Sequence, residues 1–423
     1  MPALRALTPP ASPPLKKGLS LAPARASAND IEGQRLIGTT RFEPRSDIKS
    51  ILITGGAGFI GGWVTRHMAV QYPEYNIVCF DKLDVVASLS NVNCLDSLTN
   101  FTFVQGDLTD QATLAKVLLD HNIDCVMHFA ACSHVQNSFN DPLSFTVNNV
   151  VGTQQLLEAI RHHKGPQKVN RFLHVSTDEV YGDVVESACD ETKQFMPTNP
   201  YSASKAAAEM YVWAYAKSFD IPALVVRSNN VFGPGQYPEK IVPRFCTLLM
   251  QQQPLTIQGT GLNIRRYLYG ADAADGFDTL LHKGVIGEAY NIQSSHGITN
   301  LEVAVRTLEL FGFSPRDFTR SLIWIPDRPF NDTDYWVDGS KLAALGWHQR
   351  VPFSEGLKAS VNWYHKNLET WWPEVSKTIN VASTATTESY IPPQLSANAI
   401  EDVYDGEVLE ESSGLSTPVM VAV

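Results

Sequence analysis

Residues 51–62 read ILITGGAGFIGG. The β-branched run stops at glycine, and Gly55, Gly58 and Gly61 then recur before an apolar helical pattern begins. Glycines there permit a tight turn and let the backbone and the opening of the helix approach a pyrophosphate, whose charge the helix dipole favours. Glycine-rich turns also occur for purely conformational reasons, so the neighbouring sequence has to decide. The next apolar run, NIVCFD, ends in Asp81, twenty residues after Gly61. A carboxylate at that strand end accepts from both ribose hydroxyls and repels the extra phosphate of NADP, which selects NAD. Lys82 beside it pulls the other way, and without the glycines Asp81 reads as a solvated turn residue.

Working outward, FTFVQGD, a helix after residue 110, DCVMHFA, VNRFLHVS and IPALVVR continue the alternation of strand and helix. Such alternation implies right-handed crossovers and a parallel sheet covered on both faces, the doubly wound (Rossmann) α/β class. We expect that NAD-binding domain over residues 49–230. After Arg227 the rhythm breaks into SNNVFGPGQYPEK, and residues 231–373 are expected to form a smaller α/β substrate-binding domain with segments returning to the first. Residues 1–48, rich in Pro, Ala, Ser and Arg, read as a disordered arm, and residues 374–423 as a disordered acidic tail.

Composition narrows the partners. The net charge is −11 and no Lys/Arg run exceeds a pair, which leaves no electrostatic footprint for nucleic acid. No run reaches the roughly 18 apolar residues of a membrane span. The six cysteines lack metal-site or disulfide-scaffold spacing and read as reduced thiols, which points to the cytoplasm. No metal is expected, and His128 and His134 read as packing or hydrogen-bonding histidines.

Two further stretches carry chemistry. In NPYSASKAAAEM, Asn199 suits a helix N-cap and Pro200 the first helical position, which puts Tyr201 and Lys205 four apart on one face. An ammonium near a phenol lowers its pKa toward neutrality and makes it a usable base. In STDEVYG, Asp178 and Glu179 follow Thr177 at the end of an apolar run. Alone, the first pattern is a common helix surface pair and the second a cap cluster. With the glycine turn at the same sheet edge, both read as parts of an acid–base site.

TGGAGFIGG, DKLD, GDLTD, HFAA, VSTDEVYG, PTNPYSASKAAAE, RSNNVFGPGQYPEKIVPRF and LGW together resemble an extended short-chain dehydrogenase/reductase. More narrowly they resemble the nucleoside-diphosphate-glucose 4,6-dehydratases, including the dTDP-glucose enzymes and the UDP-glucose dehydratases of rhamnose biosynthesis. The resemblance spans about Ser50 to Trp372 and implies a homodimer acting on a nucleotide sugar. It implies that Tyr201, Thr177 and Lys205 serve oxidation at carbon 4 by NAD, that Glu179 takes the C5 proton and that a protonated Asp178 donates to the departing C6 hydroxyl. The cofactor residues it implies are Gly55, Gly58, Phe59, Ile60, Gly61, Asp81, Asp107, Leu108, Phe129, Ala130 and Ala131, with Tyr201 and Lys205. Asn229, Lys240, Arg265 and Asn291 match positions that hold the sugar nucleotide.

The chain departs from that pattern at Cys132, where Glu or Gln is usual, and at Gln136, where Asp is. Arg266 stands where Asp, Ser or Asn is expected, and Asp334 stands where Arg is usual, which puts an acid near the expected phosphate pocket. Two other readings stand beside the dehydratase. A nucleotide-sugar 4-epimerase would use Tyr201 and Lys205 but has no task for both acids. A non-catalytic NAD-binding scaffold has no task for the phenol and the lysine.

Overall fold

The computed structural model describes residues 36–375. Among them the strands run, in chain order, β1 (Ser50–Thr54), β2 (Asn76–Asp81), β3 (Phe101–Gln105), β4 (Cys125–His128), β5 (Arg171–Thr177), β6 (Val184–Cys189), β7 (Ala223–Ser228), β8 (Asn230–Phe232), β9 (Leu255–Gln258), β10 (Ile264–Tyr269), β11 (Ala289–Ile292), β12 (Gly297–Thr299), β13 (Leu322–Ile325) and β14 (Tyr335–Val337). Seven form one sheet in the order β11-β7-β5-β4-β1-β2-β3, and every pairing in it is parallel.

Period-two alternation sends neighbouring side chains to opposite faces, and here both faces are apolar. Leu52, Val78, Val126, Phe172 and Val225 enter one core. Ile51, Ile53, Ile77, Met127 and Leu173 enter the other. Burying each such side chain stabilises the fold by about 1.5–3 kcal/mol, which explains why these strands read as nearly unbroken apolar runs. Strand order reverses between β1 and β4, and a crevice opens beyond their carboxyl ends.

The later part of the chain builds small pairings around that crevice: β12-β10-β8, β13-β9 and β14-β6. β10 brings Arg265 and Arg266, and β14 brings Tyr335. β11 returns to the main sheet beside β7, with Asn291 opposite Arg227. The helix Gly270–Lys283 also returns, and lies on the helix Phe59–Gln71 that the glycine turn opens. No helix among the described residues is long and apolar enough to cross a membrane.

Residues 36–48 correct the expected arm. Leu36 and Ile48 are buried in the main core. Asp275 accepts from the backbone of Thr39 and Thr40 at 2.7 and 2.8 Å, and the hydroxyls of Tyr72 and Tyr75 accept from Phe42 and Arg45 at 2.8 and 2.6 Å. This strap has its backbone donors met by side chains far along the chain, so it needs no local periodicity to be ordered. The rest of the arm, and the tail beyond residue 375, lie outside the described residues.

Candidate active site

β1 ends at Thr54, and Gly55 turns the chain with φ +68°. A Cβ on Gly55 would sit 2.6 Å from the backbone of Ala130, and one on Gly61 would sit 2.1 Å from the carbonyl oxygen of Gly55. Side chains are therefore excluded where the turn crosses the end of β4. Gly58 is the N-cap of the helix Phe59–Gln71 and supplies no side-chain cap, so the first amides of that helix keep their hydrogen-bonding capacity for an anion. Gly55, Gly58, Phe59, Ile60 and Gly61 line one wall of the cleft.

The adjoining rim is Asp81, Asp107 and Leu108, and the floor is Phe129, Ala130 and Ala131. Asp81 accepts from the amide of Ala57 at 3.0 Å and that of Leu83 at 2.8 Å, which ties the end of β2 to the glycine turn. Burial raises its pKa against the pull of those amides. The Lys82 ammonium is held by Asn148 at 3.0 Å and Asp84 at 3.2 Å. Asp107 caps its own loop, its Oδ1 accepting from the amide and hydroxyl of Thr109. Cys132 also lines the cleft, its backbone clasped on both sides by the Asn149 amide, and burial pushes its thiol up.

His128 is buried between the hydroxyls of Thr54 and Thr153, at 2.7 and 2.9 Å, and burial holds its pKa down at about 3. His134 approaches Glu239 at 3.7 Å. Among the described residues no three His, Cys, Asp or Glu side chains are grouped as a metal site would require.

The opposite wall carries the acids. β5 ends at Thr177, and a short 3₁₀ turn, Asp178–Tyr181, follows with Thr177 as its cap. Asp178 accepts from the Thr177 hydroxyl at 3.0 Å and from Asn229 Nδ2 at 2.6 Å. Glu179 accepts from Asn199 Nδ2 at 3.1 Å. Both carboxyls are buried, and burial raises both pKa values. Asp178, with Glu179 beside it, reaches about 7, while the Asn199 hydrogen bond and the charges of Arg265, Lys240 and Arg328 draw Glu179 back. Neighbouring carboxyls thus have different supports, the condition for opposite proton tasks.

Facing them, the helix Pro200–Phe219 starts from an Asn199–Ser202 capping box and presents Tyr201 and Lys205 to the cleft. Lys205 donates to the carbonyl of Val175 at 2.6 Å, and burial lowers its pKa to about 8. The expected depression of the phenol is not produced by the protein alone. Burial, with the charges of Glu179 and Asp178, holds Tyr201 above its ordinary value, and the Thr177 hydroxyl partly opposes them.

Of the four residues expected on the sugar nucleotide, Asn229 and Lys240 line the cleft. Lys240 spans its mouth, donating to the Ser133 carbonyl at 2.7 Å. Arg265 is set behind the acids, its Cζ 4.6 Å from the centre of the Tyr335 ring and its Nη1 3.0 Å from the Asp332 carbonyl. Asn291 is a correction. It is fully buried, donates to the carbonyls of Cys189 and Asp338 at 3.3 and 3.0 Å, and accepts from Tyr181 at 2.9 Å. Its amide braces the acid-bearing turn from behind and has no atom left for a ligand.

Sequence reasoning missed three contributors. Asn199 was legible as a cap, but its Nδ2 also serves Glu179. Arg328, inside DRPFND, is half-buried with its buried Nε unpartnered and adds charge beside Glu179. Tyr335 places its hydroxyl 3.5 Å from Glu179 Oε2. Nothing in the local sequence pattern marks these two, because their contacts with Glu179 come from the fold.

The family model described as GDP-mannose 4,6 dehydratase matches residues 52–360. An Arabidopsis thaliana trifunctional UDP-glucose 4,6-dehydratase/UDP-4-keto-6-deoxy-D-glucose 3,5-epimerase/UDP-4-keto-L-rhamnose-reductase is 46% identical over 80% of this chain and 49% of its own length. The chain thus spans about half the length of that relative. A Bos taurus dTDP-D-glucose 4,6-dehydratase is 40% identical over 78% of the chain and 92% of its own. The crystal structure of DesIV, the dTDP-glucose 4,6-dehydratase of Streptomyces venezuelae with NAD and TYD bound, superposes with a TM-score of 0.72 at 34% identity, covering 76% of this chain and 98% of that one.

Proposed function

The chain belongs to the GDP-mannose 4,6 dehydratase family, and from that premise we propose that it removes water from a nucleoside-diphosphate-glucose, UDP- or dTDP-linked, to give the 4-keto-6-deoxy sugar nucleotide. The observation that carries this reading is the buried Asp178–Glu179 pair opposite Tyr201, where burial pushes the Asp178 carboxyl up to about 7. A 4-epimerase gives those two carboxyls nothing to do.

The residues present fit NAD: a turn with no room for Cβ atoms, an uncapped helix start for the pyrophosphate, and Asp81 at the strand end for the ribose. When bound, NAD supplies a cationic ring that draws the Tyr201 pKa down and a reversible two-electron couple for carbon 4 and then carbon 6. Tyr201 takes the proton of the sugar's 4-hydroxyl, with the Thr177 hydroxyl sharing that hydrogen bond, and Lys205 adds positive charge on the same helix face. The ketone so formed acidifies C5–H, and Glu179 takes that proton. Asp178, whose burial lets it keep a proton up to about pH 7, donates to the C6 oxygen as it leaves, and water departs. Glu179 afterwards returns its proton to C5. Lys240 brings positive charge to the mouth of the cleft, Arg265 and Arg328 add theirs near Glu179, and Asn229 orients Asp178.

The partner is a second copy of the chain. Leu143, Val147 and Val151 are exposed at intervals of four along the helical run that starts at Pro142, and Met210 and Tyr211 are exposed on the helix Pro200–Phe219 beside it. A stripe of that kind suits an isologous helix–helix contact. The test of function is direct. Purified protein is incubated separately with UDP-glucose and dTDP-glucose, and product mass is followed. Loss of one water from either supports the reading, and a mass unchanged with both overturns it.

A further inference from the structure

We propose that Tyr335, seated on Asp332, is the positioning residue that sets the proton state of Glu179, an inference that rests on the dehydration reading above. The Tyr335 hydroxyl lies 2.5 Å from Asp332 Oδ2 and 3.5 Å from Glu179 Oε2. Asp332 and Tyr335 are 2% and 4% exposed, so water does not compete for that proton. Asp332 Oδ2 also accepts from the Thr198 hydroxyl at 2.7 Å, while its buried Oδ1 has no partner. Arg265 fixes the arrangement from above, lying over the Tyr335 ring and donating to the Asp332 carbonyl.

A phenol carries one proton, and here two carboxyl groups face it. While Glu179 is ionised and waiting for the C5 proton, the O–H turns toward Oε2 and donates to it. Once the C5–H bond has broken and the proton sits on Glu179, the O–H turns to Asp332, and the phenol oxygen accepts from the new Glu179 O–H. The exchange is a rotation about one C–O bond with the 3.5 Å gap to Glu179 closing by about half an ångström, so Glu179 is supported in both of its states. The return of the proton to C5 reverses it. The charged and titratable groups facing Glu179 are Asp178 beside it, Tyr201 from the helix, Lys240 from the mouth of the cleft, and Arg265 and Arg328 away from the cleft lining. Asn199 donates to the same oxygen at 3.1 Å and fixes its position.

The experiment is the pH dependence of 4-keto product formation by full-length protein carrying Tyr335→Phe, Asp332→Asn, or both. Tyr335→Phe removes a donor from the Glu179 anion, and the acidic limb moves up by about one pH unit. Asp332→Asn replaces a carboxylate by a weaker acceptor, frees the O–H for Glu179, and the limb moves down. If Asp332 acts through the phenol, most of its shift is lost in the Tyr335→Phe background, only the direct effect of its charge remaining. An unmoved limb in Tyr335→Phe, or an Asp332→Asn shift that persists undiminished in the double variant, overturns the inference while leaving dehydration intact. Should Tyr335→Phe fail to fold, an unmoved limb in Asp332→Asn alone overturns it. Wild-type protein that removes water from neither sugar overturns the functional reading, and this inference with it.

Discussion

Arg266 donates from Nη2 to Asp334 Oδ2 at 2.8 Å and from Nε to Oδ1 at 3.2 Å, a buried, two-contact ion pair between β10 and the residue that leads into β14. These are two of the positions where the chain departs from the pattern it resembles, and the two that introduce a charge the pattern lacks. The acid that sequence placed near the phosphate pocket is consumed by a cation that was equally unexpected, and the pair stitches together the strands that carry Arg265 and Tyr335.

Breaking that pair exposes an uncompensated buried charge. Arg266→Ala and Asp334→Ala are each expected to destabilise the protein by about 3–5 kcal/mol, and the double variant by less than the sum of the two. Thermal and urea unfolding of the three variants measures the coupling.

The glycine turn has no slack. Gly61→Ala places a methyl carbon 2.1 Å from a backbone carbonyl of the same turn, so the turn has to shift. The expected cost is about 1–3 kcal/mol, with weakened NAD binding because the displaced backbone is the pyrophosphate cradle. Unfolding curves with and without NAD separate the two effects: the variant loses stability in both, and the increment added by NAD shrinks.

What was legible in the sequence follows from how local each signal is. β1, the glycine turn, Asp81 and the Asn199–Pro200–Tyr201 helix start are written in consecutive residues, and all fall where the pattern puts them. β6 and β14 pair across the chain, Tyr335 opposite Val184, through strands too short to show a period. The strap over residues 36–48 is held by Asp275, Tyr72 and Tyr75, and the Arg266–Asp334 pair joins residues far apart in sequence. Asn291 failed for a related reason, since its neighbours in sequence do not reveal that Tyr181 fills its hydrogen-bonding capacity.

If the exposed stripe covers a second copy, charge placed on it prevents association. Leu143 is 70% exposed, so Leu143→Glu combined with Val147→Glu leaves the fold intact. Sedimentation is expected to show a dimer for the wild type and a monomer for the variant, with unfolding of the monomer at lower temperature.

Tyr201→Phe deletes the phenolic base while keeping the ring packed. Turnover is expected to fall about 10²–10⁴-fold, with substrate affinity changed only a few-fold. Product formation and equilibrium binding of the nucleotide sugar, measured on the same preparation, distinguish a lost base from a disturbed pocket.

Asp178 couples activity and stability to pH with opposite demands on one proton. Its folded pKa, about 7, lies above its ordinary value of 3.8 because burial and the neighbouring Glu179 disfavour its charge. The folded state therefore holds a proton that the unfolded chain releases. The stability this contributes is full below about pH 4, declines by about 1.4 kcal/mol per unit as pH rises, and is gone above about 7. As general acid the same group must be protonated, so turnover is expected to fall on the alkaline side as pH passes about 7. Asp178→Asn keeps an oxygen for Asn229 and turns its nitrogen to the Thr177 hydroxyl, which then accepts, so position 178 carries no charge at any pH. Relative to the wild type, that variant is expected to gain stability steadily between about pH 4 and 7 and to hold the gain above it, while product formation is lost throughout. A stability difference that does not vary with pH would show that Asp178 ionises freely in the folded protein, and with it the case for a neutral acid at the departing hydroxyl would fail.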